Sequence, residues 1–256
     1  LIAEFIHHWS NQHPNPDRLK RLHEAVQVGG RHLALPLDEY QGLGLGDANN
    51  AFISVGTEIG AKAIIGALSQ LELEPTDVDA IFTTTVTGIA TPSLDARLVN
   101  KVGFRNDIKR TPMFGLGCVA GAAGIARLYD YLQAYPNQIA VLLSVELCSL
   151  TLQRNDLSVP NLIASGLFGD GAAALIGIGE AKAKTMGLTG PKVTQTRSRF
   201  YPDTERVMGW DIEDTGFKIV LSASVPQVVK QHIRSDVDAF LEIHGLTISD
   251  ISTWVC

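Results

Sequence analysis

Apolar residues at helical spacing alternate along this chain with short, continuous apolar runs. The helical spacing is clearest over residues 50–71, where it predicts a long helix. Runs that predict strands buried on both faces follow at residues 78–86, 111–114 and 139–145. Because helices alternate with two-sided strands, the pattern predicts an α/β fold with helices on both faces of the sheet.

The remaining segments are assigned by the same patterns. Further helices are predicted at residues 1–9, 16–28, 92–102, 119–134 and 225–244. Gly169-Asp170-Gly171 predicts a tight turn before a strand over 172–178. Residues 153–161 are predicted to form a polar loop. A less regular region with possible strands near Gly187, Val193 and Val207 precedes the last helix, and a final strand is predicted at 251–256.

Two parts of the chain repeat the same order of elements. A helix, an acidic turn and a strand follow one another around Asp77, and the same series recurs around Asp250. The repeat predicts a duplicated protein with a first half at 1–178 and the start of a second half at 179–256. Chance similarity of two helix–turn–strand units is the alternative.

Composition excludes several classes of partner. The 256 residues are 45% hydrophobic and 19% charged, with a net charge of −6, which favours a cytoplasmic protein and gives no basis for binding nucleic acid. The three cysteines are too widely spaced to predict a disulfide framework or a metal site. No apolar run suggests membrane insertion. Both ends have the patterns of interrupted elements, so we expect a piece of a longer protein.

The stretch from Gly115 to Gly124 combines a cysteine with four flanking glycines. It lies between a predicted strand and a predicted helix, so Cys118 is expected at the N-terminus of that helix. Unpaired N–H groups and the helix dipole favour a thiolate there, and the thiolate is the nucleophilic form of cysteine. Small residues on the first two turns predict close backbone packing. The alternative is a small buried cysteine in a tight turn.

Three motifs together resemble the signature of a known family. They are Gly117–Gly121 (GCVAG), Ser144–Thr151 (SVELCSLT) and Gly166–Ala174 (GLFGDGAAA). In this order and spacing they resemble type III polyketide synthases, the chalcone synthase-like branch of the thiolase superfamily. The resemblance extends over residues 16–256. The segments 92–97, 114–128 and 144–151 are most similar to mycobacterial synthases that make alkylpyrones from long-chain acyl-CoA.

The resemblance implies a layered αβαβα fold built from two duplicated halves. It also implies that Cys118 takes an acyl group from a CoA thioester. Malonyl-CoA or methylmalonyl-CoA would then be decarboxylated, and the resulting enolate would extend the chain toward a pyrone. The implied enzyme is a homodimer that needs no cofactor beyond its CoA thioester substrates.

The motif positions imply roles for further residues. Phe168 corresponds to a phenylalanine between the CoA tunnel and the active site, and Arg31 is the one clearly basic residue where plant enzymes contact CoA. Asp170 and Glu146 are expected to be structural carboxylates. The positions that correspond to the walls of the reaction cavity are Thr87, Thr91, Cys148 and Thr151. The methionine that crosses the plant dimer corresponds to about Thr91.

The family's histidine and asparagine partners of the nucleophile match no residue in 1–256. We therefore expect this chain alone to be inactive in elongation. Two other functions remain open: a ketoacyl-ACP synthase-like condensing enzyme that needs a carrier protein, and a non-catalytic subunit. A cysteine hydrolase is disfavoured because Gly121 lies three residues after Cys118, which does not fit a nucleophile elbow.

Overall fold

A computed structural model of the chain describes residues 16–255. The helices are α1 (Pro16–Ala25), α2 (Leu45–Ser69), α3 (Leu94–Leu98), α4 (Ala120–Ala134), α5 (Val159–Leu167), α6 (Glu180–Thr185) and α7 (Val225–Ile243). The strands are β1 (Ala80–Thr85), β2 (Lys109–Phe114), β3 (Ile139–Leu147), β4 (Asp170–Ile178), β5 (Met208–Glu213) and β6 (Gly216–Leu221). The predicted helix at 1–9 lies outside the described residues.

Four strands form one sheet in the order β2-β1-β3-β4. β1 pairs in parallel with both β2 and β3, whereas β4 is antiparallel to β3. The carboxyl ends of the three parallel strands therefore meet at one edge of the sheet. β5 and β6 form a separate antiparallel hairpin.

Alternate residues of the central strands pack against different helices. Ile81 and Leu143 belong to the core that includes α2 and α3. Their neighbours Phe82 and Leu142 belong to a second core, which α4 covers. Because side chains alternate across a strand, this arrangement places helices on both faces. The predicted α/β fold with two-sided strands is confirmed for β1 and β3.

Small residues bring the flanking helices close to the sheet. A Cβ atom added at Gly124 of α4 would lie 2.6 Å from Leu142 Cδ1, which is too close for any side chain. On the other face, a Cβ atom at Gly60 of α2 would lie 3.1 Å from Leu143 Cδ2. The predicted close packing of the helix after Cys118 is confirmed.

Helix α2 corrects one expectation from composition. It has 25 residues and a mean hydropathy of 1.4 over an 18-residue window, so by length and composition alone it could cross a membrane. Its buried residues, Phe52, Ile64 and Leu68 among them, contact the sheet. Glu58 and Lys62 lie exposed on its other side. This packing is that of a core helix, which passes the same test of length and composition.

The predicted repeat is present in the backbone hydrogen bonds. After α2, Leu73 N donates to Leu68 O over 3.1 Å. After α7, Leu246 N donates to Leu241 O over 2.9 Å, which is the same bond at the same offset. Bonds of this kind close the last turn of a helix and satisfy its free carbonyls.

The turns that follow these helix ends also correspond. Glu72 and Gly245 both have positive φ, 54° and 67°. Asp77 and Asp250 each close a capping box by accepting a backbone N–H bond, from Glu74 and Thr247. The turns around Asp77 and Asp250 therefore have the same local geometry, and the duplication itself stays a prediction. The strand predicted at 251–256 is wrong for 251–255, because these residues pair with no described strand.

Several local predictions are wrong. The strand before Cys118 is β2, but it is an edge strand and mostly exposed, because it pairs only with β1 among the described strands. Gly169–Gly171 is not a tight turn: neither glycine has positive φ, and α5 leads directly into β4. Residues 159–161 belong to α5, whose N-cap Ser158 accepts a bond from Asn161 N.

The region after β4 also differs from its prediction. Residues 180–185 form α6, and 188–207 contain no helix or strand. Of the strands expected near Gly187, Val193 and Val207, only the last corresponds to a strand, β5. The hairpin partner β6 was not predicted. Pro92 precedes α3, which begins at Leu94, so it does not occupy the first turn.

Candidate active site

Cys118 lies in a short turn at the carboxyl edge of the parallel strands. β2 ends at Phe114, and Gly115 and Gly117 then take positive φ values of 94° and 58°. Glycine adopts these conformations without the steric cost that a Cβ atom would add. A 3-10 turn over Gly117–Val119 leads into α4 and leaves the Cys118 thiol exposed. The nucleophile expected at the start of this helix is thus accessible to a reactant.

A buried carboxylate joins the ends of β1 and β3 beside this turn. Glu146 accepts bonds from Val86 N over 3.0 Å and from Thr87 Oγ1 over 2.7 Å. Thr87 Oγ1 in turn accepts from Leu147 N over 2.9 Å. Burial raises the pKa of Glu146, while the bonds from Thr87 and Val86 oppose the rise. The Thr87 hydroxyl is committed to this clamp.

A second buried carboxylate fixes the turn that follows β3. Asp170 accepts from Ser149 N over 2.8 Å and from Ala34 N over 2.6 Å. Tyr40 Oη lies 2.6 Å from Ser149 Oγ and accepts from Leu35 N over 3.1 Å. Burial raises the pKa of Asp170, opposed by the bonds from Ser149 and Ala34. These contacts join the chain at 34–40 to the start of β4.

Cys148 begins this turn and is half-buried. Burial raises the pKa of its thiol to about 12, with further contributions from the charges of Glu146 and Asp170. Cys118 also contributes to this shift, so the two thiols lie within electrostatic reach of each other. A thiol with so high a pKa is a poor nucleophile at neutral pH. The two cysteines therefore differ in exposure, and the roles expected for them stay predictions.

Four of the predicted site residues meet at one small cavity of about 30 Å³. They are Arg31, Cys148, Thr151 and Phe168. The hairpin adds Trp210 and Ile219, which were missed. Gly216, whose positive φ of 120° ends the turn between β5 and β6, could have indicated the hairpin but not its contact with this cavity.

The other two predicted wall residues lie elsewhere. Thr87 lines a cavity of about 800 Å³ with Leu150 and Leu152. Thr91 is exposed and lines a third cavity of about 450 Å³ with Phe114. The structure therefore does not bring Thr91 to Cys148. Thr87 lies next to the turn that carries Cys148, but the two residues line different cavities.

Arg31 contacts protein groups. Its Nη1 and Nη2 donate to the carbonyls of Ser165 and Gly166, at the end of α5. Burial lowers the pKa of its guanidinium. The CoA contact expected for Arg31 stays a prediction.

Comparisons with known proteins identify the family. The model for FAE1/type III polyketide synthase-like proteins matches residues 53–187. The chain belongs to this family. This result confirms the resemblance carried by the three motifs. The segment around Cys118 and the strand pair β3–β4 both fall within the matched residues of this polyketide synthase chain.

Individual relatives agree with the family assignment. The chain is 51% identical over 246 residues to 1,3,6,8-tetrahydroxynaphthalene synthase of Streptomyces peucetius subsp. caesius, covering 95% of this chain and 65% of that protein. It is 35% identical over 262 residues to a putative chalcone synthase of Bacillus subtilis, covering 99% and 72%. Neither of these two names mentions an alkylpyrone.

A solved structure confirms the fold class. The crystal structure of 1,3,6,8-tetrahydroxynaphthalene synthase from Streptomyces coelicolor A3(2) superposes with a TM-score of 0.89 at 32% identity. The match covers 98% of this chain and 71% of that one. The polyketide synthase chain therefore has a thiolase-like α/β fold. It spans only part of the length of its relatives.

Proposed function

We propose that Cys118 accepts an acyl group from a CoA thioester and holds it for decarboxylative condensation. The observation that carries this proposal is the exposed thiol in the glycine turn that enters α4. Cys148, in contrast, is half-buried, and burial raises the pKa of its thiol to about 12. The only thiol placed for attack at this edge of the sheet, among residues 16–255, is Cys118.

The proposed reaction balances in two steps. The Cys118 thiolate attacks the thioester carbonyl, and CoA leaves as its thiol after gaining a proton. Malonyl-CoA then loses carbon dioxide, and the electron pair of the broken bond forms an enolate. The enolate carbon attacks the Cys118 thioester, which releases the thiolate and gives a β-ketoacyl-CoA. Extension by methylmalonyl-CoA would differ only by a methyl branch.

Elongation needs groups that stabilise the enolate. No histidine in the sequence follows the family's His-Pro-Gly-Gly motif. We therefore propose that the 256-residue chain loads an acyl group on Cys118 and does not elongate it alone.

The size of the cavity beside Cys148 favours a short starter. Its volume of about 30 Å³ is far below the 800 Å³ and 450 Å³ of the two other cavities. Trp210, Phe168 and Ile219 close it on the hairpin side. The relative at 51% identity is named for a naphthalene product, whose ring skeleton can be assembled from two-carbon units without a long acyl starter. Our first candidate is therefore a hydroxynaphthalene-type aromatic product made from malonyl-CoA.

The long-chain alkylpyrone product expected from the motifs is the second candidate. A specific observation favours it: the cavity of about 800 Å³ lined by Thr87, Leu150 and Leu152 has room for an alkyl tail. An acyl chain would have to pass the clamp formed by Thr87 and Glu146 to reach it. The two candidates differ in the starter that is loaded on Cys118, which is malonyl-CoA in the first and a long-chain acyl-CoA in the second.

Assembly and location are part of the same proposal. Exposed apolar residues surround the Cys118 turn and Thr91, namely Ile89, Phe114, Leu116 and Val119. Such a patch suits burial in a homodimer. We also propose residues 1–178 and 179–256 as parts of two duplicated halves, supported by the repeated helix ends, and a cytoplasmic location, supported by the acidic composition.

Intact-mass spectrometry tests the proposal. Purified wild type and Cys118→Ala are incubated with malonyl-CoA or with palmitoyl-CoA. We expect a mass increase on wild type only. A malonyl- or acetyl-sized adduct supports the first candidate, and a palmitoyl adduct supports the second.

Cys148→Ala is the matched control, because it removes the neighbouring thiol and keeps the nucleophile. It should load as wild type does. An adduct on Cys118→Ala would contradict the proposed role of Cys118. Absence of any adduct on wild type, with the chain folded, would favour a carrier-protein donor or a non-catalytic subunit.

A further inference from the structure

Residues 23–34 contact the chain both before and after Phe168. On one side are the carbonyls of Ser165 and Gly166 at the end of α5, three and two residues before Phe168. On the other side are Gly169 and Asp170, which begin β4. Side chains at positions 23–34 contact both sides.

Arg31 contacts the chain before and after Phe168. Its two terminal nitrogens donate to the carbonyls of Ser165 and Gly166. These carbonyls are among the free acceptors at a helix C-terminus, where a positive charge is also favoured. A Cβ atom placed on Gly169 would lie 3.2 Å from Arg31 Cβ, so the stem of the arginine packs against the chain just after Phe168.

His23 supports the same helix turn from α1. It is 2% exposed, and its Nε2 lies 3.2 Å from both Leu162 O and Ser165 Oγ. A Cβ atom on Gly166 would lie 3.1 Å from the imidazole, so the ring packs directly on the helix end. Two side chains of the N-terminal segment thus hold the single turn that ends at Phe168.

Beyond Phe168, the same segment is bonded to β4. Ala34 N donates to Asp170 Oδ2 over 2.6 Å, and Asp170 also holds the Ser149 turn next to Cys148. Phe168 N itself donates to Ala164 O over 2.9 Å. The backbone on each side of Phe168 is therefore fixed to residues 23–34, whereas its ring faces the small cavity.

We propose that Arg31, supported by His23, is a positioning residue that holds the Phe168 ring against Cys148 in the small cavity. Arg31 and Phe168 line that cavity together with Cys148 and Trp210. Two charge-assisted bonds to the helix carbonyls orient the guanidinium, and a lysine ammonium cannot reproduce this fork.

This role rests on the proposed function and deepens it, because Phe168 helps to limit the volume of the cavity whose small size favours a short starter. The test does not depend on catalysis. The chain has three cysteines, so the substitutions Cys118→Ala and Cys256→Ser leave Cys148 as the only thiol. Its rate of modification by methyl methanethiosulfonate, followed by mass spectrometry, reports how often the cavity opens.

In this background we expect Arg31→Lys to speed modification of Cys148 about ten-fold, the effect of losing one charge-assisted hydrogen bond. Arg21→Lys, an exposed arginine on α1, is the matched control and should leave the rate unchanged. The increase should persist at low urea concentrations without rising, since local opening exposes little surface. A merely structural role would instead give a rate that rises with urea as global unfolding does.

A double-mutant comparison with Phe168→Ala tests whether Arg31 acts through the ring. Phe168→Ala should itself speed modification, and Arg31→Lys should then add less than about two-fold. Full additivity would overturn the proposal, as would an unchanged rate in Arg31→Lys. If Arg31→Lys does not fold, His23→Leu takes its place in both comparisons, with the same outcomes expected. Failure of acyl loading at Cys118 would contradict the proposed function and leave these rates unaffected.

Discussion

The turn that carries Cys118 and the walls around Cys148 are built in opposite ways. The first is an exposed run between β2 and α4 that depends on the positive φ of Gly115 and Gly117. The second is a set of buried turns tied to one another by two carboxylates. Glu146 joins the ends of β1 and β3, and Asp170 joins β4 to the Ser149 turn and to Ala34.

The difference separates reactivity from shape. A nucleophile must be reached by a thioester, so its own contacts contribute little to folding. The walls must keep one geometry while an acyl group is held, so their polar groups are bonded to the backbone of several segments. We therefore expect substitutions at the walls to affect stability and substitutions at Cys118 to affect chemistry alone.

The largest effect is expected for Asp170→Asn. The amide keeps the shape, but its NH₂ group replaces one of the two carboxylate oxygens, so either Ala34 N or Ser149 N faces a donor instead of an acceptor. We expect a loss of about 3 kcal/mol in the free energy of unfolding, measured by urea denaturation.

Two controls sharpen this result. Asp203→Asn lies on an exposed residue with a φ of 58°, which asparagine tolerates, and should change stability by less than about 0.5 kcal/mol. Cys118→Ala should likewise cost less than about 0.5 kcal/mol while it abolishes acyl loading. Equal losses at Cys118 and Asp170 would contradict the separation of the two regions.

A smaller effect is expected at the clamp between β1 and β3. Thr87→Val is nearly isosteric but removes the hydroxyl that donates to Glu146 and accepts from Leu147 N. Thr87 is 3% exposed, so water cannot replace these bonds. We expect a loss of about 2 kcal/mol by urea denaturation.

Thr87→Ser is the matched variant, because it keeps the hydroxyl and loses one methyl group. Its cost should be about 1 kcal/mol. If serine and valine are equally destabilising, the packing of the methyl group, and not the clamp, fixes this turn.

Sequence reasoning found the elements whose packing follows from local pattern. Helices α2 and α7 were both predicted from apolar spacing. Each ends with an equivalent backbone bond, to Leu68 O in α2 and to Leu241 O in α7. The turn of Cys118 at the start of α4 was predicted from glycines between a strand and a helix, and Gly115 and Gly117 do take positive φ there. Each of these signals lies within a few residues of the feature that it predicts.

Contacts between distant segments left no such signal. Residues 159–161 of α5 were assigned to the polar loop that begins at residue 153. The side chain of Asn161 is buried and donates to Gln153 O and Asp156 O, which no local pattern predicts. Trp210 reaches the cavity because the hairpin packs on α5, which a local pattern cannot show. The contacts of Arg31 depend on the path of the N-terminal segment over that same helix.

The smallest expected effect concerns pH and the segment that holds α5. Burial lowers the pKa of His23, and the charge of Arg31 adds to this, opposed by the bond to Leu162 O. The turn of α5 that faces the ring offers Leu162 O and Ser165 Oγ and no charged group. The unfolded chain binds a proton near the usual pKa of about 6.5, whereas folded His23 binds one only at lower pH. Between these two values the unfolded state holds more protons, so stability falls as the pH falls.

From pH 7.5 to 5.5 we expect wild type to lose about 1 kcal/mol more than His23→Gln, which keeps a donor for Leu162 O and does not titrate. Urea denaturation at the two pH values measures the difference. An equal loss in both proteins would show that His23 is not held neutral by its surroundings. Other groups would then cause the loss of stability at low pH.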